Sequence, residues 1–161
     1  DLVRSRGLGD VYKDSTYTYQ WLRDGIPIVN ATKLSYTLSH HNQGSNITFR
    51  ICGSKTYYSD LCITTVDKIV EPGVISKVGV VTISGKATNP GALLTGTSTQ
   101  WMAGVNLSSQ WLLNGKPIYG ATKPLLIIQP KFRGKTLSYQ ITGTRPGYQS
   151  VVKVSKGRKI V

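Results

Sequence analysis

Acid is scarce in this chain of 161 residues, and what there is lies in one part of it. The seven carboxylates are Asp1, Asp10, Asp14, Asp24, Asp60, Asp67 and Glu71, and residues 72–161 carry none. Glycoside hydrolysis needs a carboxylate pair flanking the scissile bond, so that chemistry is excluded from the second half. Sulfur and imidazole are nearly as rare, with two Cys, one Met and two His. Cys52, Cys62, His40 and His41 spell a Cys2His2 zinc site. Adjacent His side chains on a strand point to opposite faces, however, and the Cys spacing is wrong, so no metal is expected. Nor do they form a Cys–His nucleophile, because the two His read as a polar turn. No apolar run approaches the ~18–20 residues of a membrane helix. No segment sustains a 3.6-residue apolar period over three turns, which removes helices and the phosphate loops that precede them. No cofactor and no enzyme activity are expected.

Base, in contrast, is plentiful: twenty Lys and Arg give a formal net charge of +13. Residues 1–71 hold eight of them against the seven acids, a net of +1, and residues 72–161 hold twelve unopposed, a net of +12. Such a field favours polyanions, whether anionic cell-wall polymer, acidic glycan, lipid headgroup or nucleic acid. It equally keeps an apolar sandwich in solution. The candidate anion contacts are Lys131, Arg133, Lys135, Arg145, Lys153, Lys156, Arg158 and Lys159. Nucleic acid is the weaker partner, since these cations do not interleave with an aromatic stripe as single-strand binders do.

A repeat organises the chain. At an offset of 90, Gln20-Trp21-Leu22 returns as Gln110-Trp111-Leu112. Gly25, Pro27, Ile28, Ala31, Thr32 and Lys33 match Gly115, Pro117, Ile118, Ala121, Thr122 and Lys123. Gly44, Ile51, Gly53 and Tyr58 match Gly134, Ile141, Gly143 and Tyr148, making thirteen ungapped identities over residues 20–58. Module one is expected over residues 1–70, a linker over 71–77, and module two over 78–161. Module two has apolar segments at residues 78–84 and 93–95 ahead of Trp111. In module one the counterpart of the 80–83 strand would lie before Asp1, so the chain reads as a processed or excised piece. An unpaired strand edge in module one would then invite self-association.

Both modules read as short strands. Tyr17, Tyr19 and Trp21 alternate with Thr18, Gln20 and Leu22, and Leu107, Ser109, Trp111 and Leu113 keep the same phase. Asp24-Gly25 and Asn114-Gly115 supply the positive φ of a tight hairpin. Further strands are expected near residues 33–39 and 125–129, then through Ile47, Phe49 and Ile51 and through Leu137, Tyr139 and Ile141. About seven strands around one Trp predict an all-β chain of two tandem immunoglobulin-like β-sandwiches, the first lacking its N-terminal strand. Trp21 and Trp111, with Phe49 and Tyr139, are the expected core; an exposed sugar-stacking platform is the alternative for the two Trp. Trp101, beside Gly104 and facing Val11 in the repeat, is a candidate ligand contact or a lid over the sandwich end. If Phe49 and Ile51 face inward, Cys52 faces out, as does Cys62 on the returning arm. A cross-strand disulfide is feasible there in an oxidising compartment, stabilising by about 2–3 kcal/mol.

The stretch from Tyr19-Gln20-Trp21-Leu22-Arg23-Asp24-Gly25 to Ala31-Thr32, its counterpart from Gln110 to Ala121-Thr122, then Ile141-Thr142-Gly143 and Pro146-Gly147-Tyr148-Gln149-Ser150, resembles the Ig-like repeats of secreted and surface proteins of actinobacteria. The resemblance implies a secreted or cell-surface setting and a non-catalytic spacer, adhesion or cell-wall attachment unit. Two other roles fit such repeats: a carbohydrate- or wall-polymer-binding module of an extracellular hydrolase, and a subunit of a surface filament or layer completed by strand donation.

Overall fold

Asp24 and Gly25 take φ values of 51° and 79°, and Asn114 and Gly115 take 48° and 77°. These are the consecutive left-handed residues of a type I′ turn, whose twist matches that of the strands it joins. Each turn opens a hairpin that the neighbouring Gln staples. Gln20 Nε2 donates to the carbonyls of Trp21 and Ile28, both at 2.8 Å, and Gln110 Nε2 donates to Trp111 and Ile118 at 2.9 and 2.7 Å. Trp21 Nε1 donates to the Lys33 carbonyl at 2.9 Å, and Trp111 Nε1 to Lys123 at 3.0 Å. The repeated Gln-Trp-Leu thus fixes the same local frame twice.

The computed structural model describes residues 15–85 and 88–161, and the chain divides into two compact units, Asp1–Pro72 and Gly73–Val161. The described part of unit 1 runs β1 (Thr16–Arg23), β2 (Ile26–Pro27), β3 (Asn46–Ser54), β4 (Leu61–Thr64) and β5 (Lys68–Ile69). They form one antiparallel sheet, in the order β2-β1-β3-β4, with β5 also on β3. Unit 2 runs β6 (Val81–Ser84), β7 (Leu93–Ser98), β8 (Asn106–Leu113), β9 (Lys116–Pro117), β10 (Leu125–Ile127), β11 (Thr136–Thr144), β12 (Val151–Val154) and β13 (Arg158–Lys159). Its sheets are β12-β11-β8-β9, with β13 on β11, and β10-β7-β6. The chain is all-β and immunoglobulin-like: in unit 2 two sheets close over one core. Trp111 (0% exposed) and Tyr139 (2%) meet Leu94 and Val81 there, and Ile128 and Phe132 seal the side.

Two expectations change. Residues 33–39 of unit 1 form no strand, whereas their counterpart β10 does. β10 exists by pairing with β7, and no such partner stands among the described residues of unit 1. The expected linker 71–77 is not a free connection beyond Pro72. Ile75 is 3% exposed in the core of unit 2, Gly73 bridges to Tyr148, and the Lys77 carbonyl accepts from Met102 N–H at 2.9 Å. In unit 2 the strand at residues 81–84 pairs only with β7, in the smaller sheet; the expected gap at the N-terminal edge of module one lies outside the described residues. His40–Asn42, expected as a polar turn, and Pro130–Phe132 are single 3-10 turns. The start of module one, with Val11, lies outside the described residues.

Candidate functional site

The ladder of unit 1 sorts its side chains onto two faces. Tyr17 pairs with Gly53, Tyr19 with Ile51 and Trp21 with Phe49, while Ile51 pairs with Ile63 and Gly53 with Leu61. Side chains alternate along a strand, so all of these share one face. The other face carries Thr18, Cys52 and Cys62 in one row and Gln20, Arg50 and Thr64 in the next. Cys52 and Cys62 are directly opposite, Cα–Cα 4.0 Å, and joined by a disulfide. The staple therefore sits on the polar face and leaves the apolar one unencumbered.

That apolar face is exposed. Leu61 and Ile63 are 67% and 66% exposed and Val66 is 90%. Trp21 and Phe49, the expected core pair of module one, are only half-buried, their rings 4.7 Å apart. Two open hollows run along the face. One, of about 540 Å³, lies over Tyr17, Ile51, Gly53, Tyr58, Leu61 and Ile63. The other, of about 650 Å³, lies over Trp21, Leu34, Tyr36, Ile47, Phe49 and Val66. Soluble domains seldom leave a contiguous apolar surface of this kind unless something docks on it. Sequence reasoning missed it, because alternation along one sheet carries no record of what lies across from it.

The basic residues of unit 2 do not converge on one patch. Lys131, within the turn that plugs Phe132 into the core, and Arg133, at its end, flank that Phe, and Lys135 follows. Thr136 pairs with Lys159 and Leu137 with Arg158, which brings these five cations to one end of the larger sheet. Lys116 of β9, which sequence reasoning passed over, joins Lys131 and Lys135 around a cleft of about 480 Å³. Arg145 stands beyond the far end of β11, about 30 Å away at ~3.4 Å per residue. There it donates to the Ala103 carbonyl at 3.1 Å and lies 4.4 Å from the Tyr148 ring, so it braces a loop and leaves the anion set. Lys153, opposite Ile141 on β12, and Lys156, near Val81 and Ile83, are also apart from the cluster.

Trp101 is not an exposed ligand contact. It is 6% exposed, its Nε1 donates to Ser98 Oγ at 2.8 Å, and its ring covers Gly143, where a Cβ would meet Cζ3 at 2.6 Å. Gly79 is packed against the same ring. The lid alternative describes it. Glycine within a strand is the mark of such close approach, and Gly143 was that mark.

Asp24 illustrates how polar groups near the turns are used. The Asn46 amide donates to Asp24 Oδ1 at 2.8 Å, and that bond, followed by the Ser45 side chain, holds the carboxyl below its ordinary range. Asn114 receives the Thr136 amide at 2.9 Å in the same place of unit 2. The rings of His40 and His41 lie 3.9 Å apart, tilted by 39°, on their 3-10 turn. Among the described residues no three His, Cys, Asp or Glu gather in a way that could hold a metal ion. Among them, too, no helix is long and apolar enough to cross a membrane.

Comparison with known proteins adds little. No family model matches the chain, and no curated protein does. Among solved structures it is similar to the crystal structure of murine CEACAM1b, at 13% identity over 92% of each chain with a TM-score of 0.38. A likeness that loose carries no argument, and the fold assignment rests on the sheets themselves.

Proposed function

We propose that this chain is a non-catalytic Ig-like module of a secreted or cell-surface protein, and that it serves as an attachment unit held to an anionic polymer of the cell wall. The observation that carries the reading is the cationic end of unit 2. Lys116, Lys131, Arg133, Lys135 and Lys159 lie around one end of its larger sheet, in a stretch of sequence that holds twelve Lys and Arg and no Asp or Glu. Clustered charge of one sign raises the local concentration of a polyanion and speeds its capture. The field is screened over about 8–10 Å at 0.1–0.15 M salt, so the attachment must weaken as salt rises. The disulfide of unit 1 suits an oxidising, extracellular compartment, and the resemblance to actinobacterial surface repeats points the same way.

The test is retention of the chain on purified bacterial cell walls, with and without their anionic polymers, across a salt series. Retention that requires the polymers, falls with salt, and is lost in a variant carrying Lys116→Glu, Lys131→Glu, Lys135→Glu and Lys159→Glu supports the reading. Unchanged retention of that variant, or none by the wild type at low salt, overturns it.

A further inference from the structure

In unit 2 the β8–β9 hairpin and the 3-10 turn of Pro130–Phe132 border the cleft of about 480 Å³. Its lining is of two kinds. Pro117, Ile118 and the buried Phe132 give it an apolar floor, and Lys116, Lys131 and Lys135, all exposed, bring ammonium groups to it from three separate segments of chain. Lys131 Nζ lies 5.7 Å from the centre of the Phe132 ring. Asn114 also lines the cleft. Its Oδ1 accepts from the Thr136 amide at 2.9 Å, which leaves the side-chain NH2 as the group it can offer. The repeat shows which of these residues the backbone does not require. At the offset of 90, unit 1 has Ile26 for Lys116, His41 for Lys131, Ser45 for Lys135 and Asp24 for Asn114. It nevertheless forms the same left-handed hairpin turn and the same 3-10 turn. The floor differs as well, with Asn42 for Phe132 and Arg23 for Leu113. Three cations over an apolar floor thus stand where unit 1 sets Arg23 beside the acid Asp24, and the shared fold does not call for the change.

We propose that this cleft takes a tetrahedral oxyanion ester, phosphate or sulfate, borne on a sugar ring; the inference rests on the wall-attachment reading and names the group by which the polymer is held. The cations lining the cleft are all Lys. An ammonium is a compact point charge, without the planar fork by which Arg matches a carboxylate. A phosphate or sulfate monoester offers three terminal oxygens, one for each ammonium, whereas a carboxylate offers two. A bare ion would leave the floor empty. The C–H face of a pyranose carrying the ester covers Pro117 and Ile118, and the cleft falls within the roughly 300–1,000 Å³ of small-ligand sites. A nucleic acid suits it less well, because single-strand binding uses exposed aromatics on which bases stack. The one aromatic lining the cleft, Phe132, is 1% exposed.

The experiment titrates the full chain, labelled with 15N, with glucose 6-phosphate, glucose 6-sulfate, glucuronate, inorganic phosphate and a thymidine oligonucleotide, and follows the amide resonances. The expected result is saturable shifts centred on Lys116, Lys131 and Lys135 with a sugar ester, several-fold tighter than with glucuronate or inorganic phosphate. The ester that binds more tightly identifies the polymer as phosphate-bearing or sulfate-bearing. A variant combining Lys116→Ile, Lys131→His and Lys135→Ser, the residues that unit 1 carries on the same backbone, should bind the ester at least tenfold more weakly. Its amide spectrum away from the cleft should be unchanged, which reports that it is folded. Five results overturn the inference: no saturable shifts; shifts centred on Lys153 and Lys156; glucuronate bound as tightly as either ester; the oligonucleotide bound at the cleft more tightly than both; or a folded variant that binds like the wild type. Ester binding at the cleft by a chain that no wall retains supports the inference and overturns only the wall reading. Salt-dependent wall retention by a chain whose cleft binds neither ester does the reverse.

Discussion

Removing the same side chain from the two repeats should cost very different amounts. Trp111 is 0% exposed, covered by Leu94 and its neighbours, whereas Trp21 is half-buried and faces the 650 Å³ hollow. Both donate one hydrogen bond to an equivalent carbonyl, at 3.0 and 2.9 Å, so that contribution cancels between them. Truncating a fully buried Trp to Ala costs about 3–5 kcal/mol, the transfer free energy plus the cavity left behind. For Trp21 there is no enclosing wall on the hollow side. Only the area in contact with its own sheet is lost, about 1–2 kcal/mol at ~25 cal/mol per Å². For a domain of this size 1 kcal/mol shifts the melting temperature by about 4–8 °C. Trp111→Ala should therefore lower the melting of unit 2 by about 12–40 °C, and Trp21→Ala should lower that of unit 1 by about 4–16 °C. Calorimetry gives the shifts, and hydrogen exchange read on peptides of β3 and β11 assigns each loss to its unit. Equal losses, within about 0.5 kcal/mol, would refute the reasoning.

The glycines of the Thr-Gly strand should separate in the same way. Gly143→Ala collides with Trp101 and is expected to destabilise by about 1–3 kcal/mol, while Gly53→Ala meets the Tyr17 ring at 3.3 Å and should be near neutral; comparable losses in urea denaturation would contradict this. Replacing Cys52 and Cys62 by Ser opens a link of sequence separation 10 and should cost unit 1 about 2–3 kcal/mol, with unit 2 unchanged in the same titration. The folded pKa of Asp24 is depressed, so its stabilising bond is fully present above the ordinary carboxylate range and is lost as pH falls through the lower folded value. The Asn46 amide resonance should titrate with that depressed midpoint and should stop titrating in Asp24→Asn, which keeps the acceptor as Asn114 does; a midpoint at or above the ordinary carboxylate value would oppose it.

Much of the fold was legible because its determinants are local. The Asp-Gly and Asn-Gly pairs demand left-handed backbone, alternation through Ile47, Phe49 and Ile51 sets the inward face, and that phase alone puts Cys52 and Cys62 across from each other on the outer one. The repeat made Trp21 and Trp111 equivalent, yet their burial differs because burial depends on what lies across the core, and alternation within one sheet carries no record of the other. For the same reason residues 33–39 matched a strand by pattern but lacked the partner that turns pattern into ladder. Trp101 read as a loop aromatic because its socket, Gly79 and Gly143, is assembled from residues distant in sequence. The cations read as one set because the sequence counts charge, whereas the length of β11 separates Arg145 from Lys135.

The central claim is that the Trp face of unit 1 is open while that of unit 2 is covered. The most direct measurement is fluorine NMR of the chain labelled with 5-fluorotryptophan, its three resonances assigned by single Trp→Phe substitutions. The solvent isotope shift between H2O and D2O and the response to acrylamide are then read for each. The account predicts that Trp101 and Trp111 respond weakly to either and that Trp21 responds strongly to both. Three equally shielded resonances would contradict it.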